Sequence, residues 1–108
     1  MLYCMIIGMN EKNLVKILAE LGHETRLSIF RLVIKYGDSG ISVGEVGRQL
    51  EIAPSTLNFH LSRLVEAQII KQNKQGRSIY CVAAVDVLNS AMDLLTAECC
   101  SEAACGCN

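Results

Sequence analysis

Several things are missing from this sequence, and each absence removes a class of function. No apolar run approaches the length of a membrane helix, so no membrane partner is expected. The opening MLYCMIIGM is hydrophobic but carries no positively charged leader, and no small-residue cleavage site follows it. It reads as the start of a packed helix, and the expected location is cytoplasmic, where thiols stay reduced. No Cys-x-x-Cys sits in a βαβ pattern, no glycine-rich loop could cradle a phosphate, and no paired carboxylates suggest a pocket. These absences argue against an enzyme. Residues 81–108 contain no Lys or Arg at all.

With 108 residues, 51% of them hydrophobic, the chain can build one core and should fold as one domain. Its net charge of −1 conceals an asymmetry. Residues 54–80 carry Arg63, Lys71, Lys74 and Arg77 against only Glu66, whereas Asp86, Asp93, Glu98 and Glu102 lie in the remainder. A locally basic segment is compatible with nucleic-acid binding, though solvated basic loops are common.

Helical periodicity dominates the first half. Leu14, Ile17, Leu18 and Leu21 recur at i, i+3, i+4, i+7 and stop at Gly22. Leu27, Phe30 and Ile34 predict a second helix over about 24–36. DSGIS is a turn-rich break in which Ser42 is a good N-cap, with Glu45 at capping-box spacing for a helix over 43–50. Pro54 suits the first position of the next helix, whose inner face carries Leu57, Leu61 and Leu64. Its opposite side shows Ser55, Thr56, Asn58, His60, Ser62 and Arg63. Two short helices around a tight turn, the second with such a polar face, form a helix-turn-helix pattern; an ordinary amphipathic surface helix is the bland alternative.

The period then changes. Ile69–Lys71 and Ser78–Val82 are β-prone and flank NKQGR, a hairpin signal. A hairpin directly after a helix-turn-helix is a wing, and its tip, Lys74 and Arg77, would lie along phosphates. A last helix is expected from an Asp86 N-cap to about Glu98, with Leu88, Ala91, Met92 and Leu95 as its apolar stripe. The fold class is therefore mainly α with a β-hairpin wing, a winged helix-turn-helix. The first and last helices offer a natural dimer face. Residues 1–98 read as the DNA-binding and dimerisation domain, and 99–108 as a cysteine-rich tail.

That tail, ECCSEAACGCN with its preceding glutamate, holds four of the six cysteines: Cys99, Cys100, Cys105 and Cys107. Cys4 and Cys81 read as buried small apolar residues. Neighbouring Cα atoms lie only 3.80 Å apart, so a bridge between Cys99 and Cys100 would be strained. Thiolates gathered for a soft ion fit better than a disulfide framework. Successive residues of a regular helix diverge by about 100°, so both thiols can address one ion only if the helix ends or unwinds there. Incidental cysteines on a flexible tail are the plain alternative. Oxidative sensing is another, although no nearby Lys, Arg or His lowers the thiol pKa.

Two stretches resemble the ArsR/SmtB family of metal-responsive winged-helix repressors. ELGHETRLSIFRLV (20–33) is similar to the family's Leu-x-x-x-x-Arg-Leu-x-Ile-x-x-Leu segment at Leu21, Arg26, Leu27, Ile29 and Leu32. PSTLNFHLSRL (54–64) is similar to its Ser-x-x-x-His-Leu-x-x-Leu recognition helix, with Thr56 in place of the serine and with His60, Leu61 and Leu64 matching. The likeness covers about residues 11–98. It implies a homodimer that binds operator double-stranded DNA and releases it when an inducer binds.

The departures indicate which inducer. Many arsenic, cadmium and lead sensors of the family place Cys-Val-Cys where this chain reads Ile41-Ser42-Val43-Gly44-Glu45. The His and carboxylate site of zinc and nickel sensors on the final helix is absent, since His23 and His60 lie elsewhere. Cys99-Cys100 with a further cysteine is similar to the arsenite-responsive subgroup whose site ends the last helix. That subgroup's spacing would place the third ligand near residue 106, which is Gly here, straddled by Cys105 and Cys107. The resemblance thus implies As(III) as inducer, held by Cys99, Cys100 and one or both of the others. Cd(II), Pb(II), Zn(II), methylarsenite (which needs only two thiolates) and thiol oxidation remain as alternatives. For DNA, Asn58 and Arg63 have side chains suited to base edges, while Ser55, Thr56 and the wing suit phosphates. Ser62 shares that face. His60 is either a DNA contact or a structural contact inside the helix-turn-helix, and Phe59 reads as packing rather than as a base contact.

Overall fold

Asn10 starts the first helix, α1 (Glu11–Leu21), with a reciprocal cap in a computed structural model that describes residues 8–103. Its side chain accepts from the Asn13 amide at 2.9 Å, and the Asn13 side chain accepts from the Asn10 amide at 3.3 Å. Two otherwise orphaned donors are satisfied in this way. His23 caps α2 (Glu24–Ile34), its Nδ1 accepting from the Thr25 amide at 3.1 Å. The buried face of α2 is Ile29, Phe30, Leu32 and Val33; Leu27 and Ile34, expected on it, are exposed.

A short 3-10 turn, Gly37–Ser39, delivers the chain to Gly40. Gly40 has φ 77°, and a Cβ there would stand 2.7 Å from the Cys81 carbonyl oxygen, so only glycine fits. That close approach lets β1 (Ile41–Ser42) pair antiparallel with a strand forty residues away, Ile41 opposite Cys81. The sequence pattern showed only a turn-rich break here. Helix α3 (Val43–Leu50) follows, with Ser42 Oγ accepting from the Glu45 amide at 3.2 Å. The Glu45 carboxylate does not complete the capping box but turns to Arg48 and Gln49, which hold it down to about 2.

Glu51 ends α3 in the left-handed region at φ 55°, and the Ile52 amide returns to the Gly47 carbonyl at 3.0 Å. Pro54 then opens α4 (Pro54–Glu66), where its missing N–H costs nothing. Strands β2 (Ile70–Gln75) and β3 (Ser78–Ala83) form the hairpin, joined by a two-residue turn that opens on Gly76 at φ 62°. The strand order is β1-β3-β2.

The last helix, α5, spans Val85–Leu95. Asp86, expected as its N-cap, lies inside the first turn, and Ala84 stands at the cap without a side-chain bond. The helix also stops short of Glu98, and the Thr96 hydroxyl donates back to the Met92 carbonyl at 2.9 Å. The core gathers Ile17, Val33, Val46, Leu61, Leu64, Ile69 and Cys81, all at or near zero exposure. Each large aliphatic so buried contributes about 1.5–3 kcal/mol. Val15, Leu18 and Leu95 stay exposed, and Val15 and Leu95 line a groove between α1 and α5.

Candidate nucleic-acid interface and thiol tail

The hydrophobic period of α4 decides which side chains can reach a partner. Leu57, Leu61 and Leu64 are buried, which turns Ser55, Thr56, Asn58, Ser62 and Arg63 to solvent. Gly47 allows α3 to approach closely, since a Cβ there would meet the Ile52 carbonyl oxygen and Leu57 Cδ2 at 3.2 Å. The close approach at Gly47 thereby adds packing to the local turn features, Glu51 and Pro54, that join the two helices.

Of two residues of α4, His60 takes the structural role that was one of its two expected readings, and Phe59 stands opposite to expectation. His60, placed on the polar face from the sequence, is only 7% exposed, with its Nδ1 3.1 Å from Nη1 of Arg26. Its ring centroid lies 4.8 Å from that of His23. Burial foremost, then His23 and Arg26, push the His60 imidazole below its ordinary value, which favours the neutral ring that can accept from Arg26. Phe59, expected to pack, is 54% exposed, and the Arg63 guanidinium carbon lies 5.4 Å from its ring centroid.

Beneath this helix sits Glu20, buried at 6% exposure in an apolar stripe. Lys16 Nζ stands 2.9 Å from its carboxylate, Arg26 Nε 3.4 Å and Arg63 Nε 3.9 Å. Arg26 Nε also donates to the Glu20 carbonyl at 2.7 Å. The Lys16 hydrogen bond is the main cause holding the Glu20 carboxyl below its usual range, against the opposing effect of burial. A chain of charge-assisted contacts therefore links α1, α2 and the inner edge of α4.

The wing is basic without counter-charge. Residues 70–83 contain Lys71, Lys74 and Arg77 and no acidic side chain, and all three are exposed. Lys74 pairs in register with Ile79, and Arg77 lies in the tip turn. Lys71, which ends the expected β-prone run, lies exposed on β2 beside the two expected wing cations.

Past Leu95 the chain runs through successive turns. The Cys99 amide donates to the Thr96 carbonyl at 2.9 Å, the Ser101 amide to Glu98 at 3.2 Å and the Ala103 amide to Cys100 at 3.1 Å. Cys100 adopts φ 65°. This departure from helical geometry brings Sγ of Cys99 and Sγ of Cys100 to 2.8 Å. Cys105 and Cys107 lie outside the described residues, as does Cys4. Cys81 is fully buried in β3, and burial pushes its thiol up, as expected for an inert packing residue. Among the described residues no helix is long and apolar enough to cross a membrane.

Residues 21–73 match a family of helix-turn-helix domains. The chain is 26% identical to the transcriptional activator HlyU of Vibrio cholerae over 86 residues, 80% of this chain and 77% of that protein. The reduced HlyU structure superimposes with a TM-score of 0.64 at 26% identity, covering 84% of this chain and 93% of that one. An ArsR-like transcriptional regulator from Rhodococcus sp. RHA1 superimposes with a TM-score of 0.70 at 24% identity, covering 80% and 78%. The matched domain, the sheet order and these similarities give the chain a winged helix-turn-helix fold like that of ArsR-like and HlyU transcriptional regulators.

Proposed function

We infer that this protein is an As(III)-responsive repressor that binds operator DNA as a homodimer and lets go when its tail thiolates capture the inducer. The observation that supports this reading most is the approach of two cysteine sulfurs, the free Cys99 Sγ and the disulfide-bonded Cys100 Sγ, to 2.8 Å just beyond the end of α5, a pair that reduction turns into two thiols. A regular helix would have splayed Cys99 and Cys100 apart. Two soft donors side by side suit a thiophilic ion, and As(III), with its three-thiolate pyramid, takes its remaining ligand from Cys105 or Cys107. The exposed Val15, Leu18 and Leu95 supply the dimer face on α1 and α5.

The coupling follows from position. Thr96 to Cys100 continue directly from α5, so ordering the tail around an ion changes how α5 ends and how two subunits meet. Paired recognition helices must match half-sites about 34–36 Å apart, so a change of dimer geometry is felt as lost affinity. Such couplings amount to about 5–150-fold and are reciprocal. Titrating arsenite into the dimer with and without a bound duplex tests this. Weaker arsenite binding on the duplex is expected, and equal affinity in both states contradicts the mechanism.

Thiol oxidation is a second reading that the same close pair supports. An oxidant that releases the duplex in the absence of arsenite, where arsenite itself has no effect, selects it.

A further inference from the structure

We propose that Phe59 is a specificity-determining residue that reads a thymine 5-methyl group in the major groove, next to a guanine read by Arg63. The proposal rests on the reading of α4 as a DNA-recognition helix and adds to it which base features the helix selects.

Phe59 is the one large apolar side chain exposed on α4 among the described residues. Its neighbours on the same face at helical spacing are Ser55, Thr56, Ser62 and Arg63, all polar and all exposed. Leaving a phenylalanine 54% exposed on an otherwise polar face has no benefit for the core, which is already closed by Leu57, Leu61 and Leu64. The surroundings specify what covers it. Arg63 lies over the ring, Lys71, Lys74 and Arg77 follow on the wing, and Glu66 is the one acidic residue between positions 54 and 80. A polyanion fits that field better than an apolar protein surface.

Within a major groove the thymine 5-methyl is the apolar feature of the base edges, and an aromatic side chain contacts it favourably. The ring has a second effect. With the guanidinium 5.4 Å from the Phe59 centroid and its Nε 3.9 Å from Glu20, Arg63 is restrained from two sides. A planar fork held in this way loses less freedom when it pairs with the O6 and N7 of guanine. Phe59 and Arg63 together thus favour a half-site holding thymine and guanine close to one another. Ser62 Oγ donates to the Phe59 carbonyl at 2.7 Å, which leaves its hydroxyl a weaker competitor for the same base edges.

The test uses the full-length protein and a duplex selected by it from a random-sequence library. Each thymine of that duplex is replaced in turn by deoxyuridine, which removes only the methyl. The expected result is one position per half-site where wild type loses about fourfold in affinity, the scale of one buried methyl group. Phe59→Ala should lose that discrimination while keeping the wild-type melting temperature, because the side chain is exposed; Phe59→Leu should keep part of it. Replacing the guanine adjacent to that thymine should cost wild type far more than Arg63→Ala. If wild type selects and binds a duplex but no deoxyuridine position depends on Phe59, the proposal is overturned while DNA binding stands. If no duplex is selected at all, the recognition-helix reading itself fails.

Discussion

His60 Nδ1 lies 3.1 Å from Nη1 of Arg26, tying the middle of α4 to α2 across 34 residues of sequence. The contact requires a neutral imidazole, because a protonated ring would present a donor to a guanidinium that is always charged.

Stability should therefore fall in mild acid. The folded-state pKa of His60 is lowered, so the unfolded chain binds more protons once pH drops through its ordinary value of 6.5. The stabilisation is fully present above that value and is lost as pH falls towards the folded pKa. Urea midpoints at stepwise pH should show this loss in wild type and a flatter profile in His60→Gln. A second decline, from Glu20, belongs below pH 4.5, since its folded pKa is also lowered.

Removing Glu20 should be costly because Lys16, Arg26 and Arg63 all approach its carboxylate. Glu20→Ala leaves Arg26, which faces His60 of α4, without its carboxylate. A destabilisation of about 2 kcal/mol is expected in chemical denaturation, the scale of losing a partner to a mostly buried charge. Glu20→Gln, which keeps the shape, should lose less.

Gly40→Ala should unseat the short strand. Its Cβ would press on the Cys81 carbonyl and on Val82 Cγ2 at 2.9 Å, and its φ is 77°. The expected cost is about 2–3 kcal/mol from strain and displaced backbone. Faster hydrogen exchange at Ile41 and in β3 would show where the damage lies.

Much of this architecture was legible from local pattern. Ser42, Pro54 and the leucines of α4 announced the helix-turn-helix, and Gly76 announced the wing turn, because caps and turns depend on neighbouring residues. Features made by distant partners were not legible. The strand Ile41–Ser42 exists only because Cys81 and Tyr80 pair with it. A structural contact for His60 was one of its two readings, but its partner Arg26, a residue far away in sequence, was not visible. The same holds for Phe59, whose exposure follows from a core completed by its neighbours. The end of α5 at Leu95 was misplaced by three residues because apolar periodicity runs on through Cys99.

The wing should contribute to affinity without contributing to sequence choice. Lys74→Ala and Arg77→Ala should each weaken duplex binding about equally for all sequences and reduce the salt slope by about one unit. Gel-shift titrations at several salt concentrations on a selected and a scrambled duplex check both statements.

The central claim is that thiols beyond α5 control DNA binding, and a DNA-release assay tests it most directly. Arsenite is titrated against the duplex complex of wild type and of single Ser variants at Cys99, Cys100, Cys105 and Cys107. Wild type should lose at least about fivefold in affinity for the duplex. Cys99→Ser and Cys100→Ser should stay bound, together with one of the other two variants. Full release by arsenite in all four variants would contradict the account.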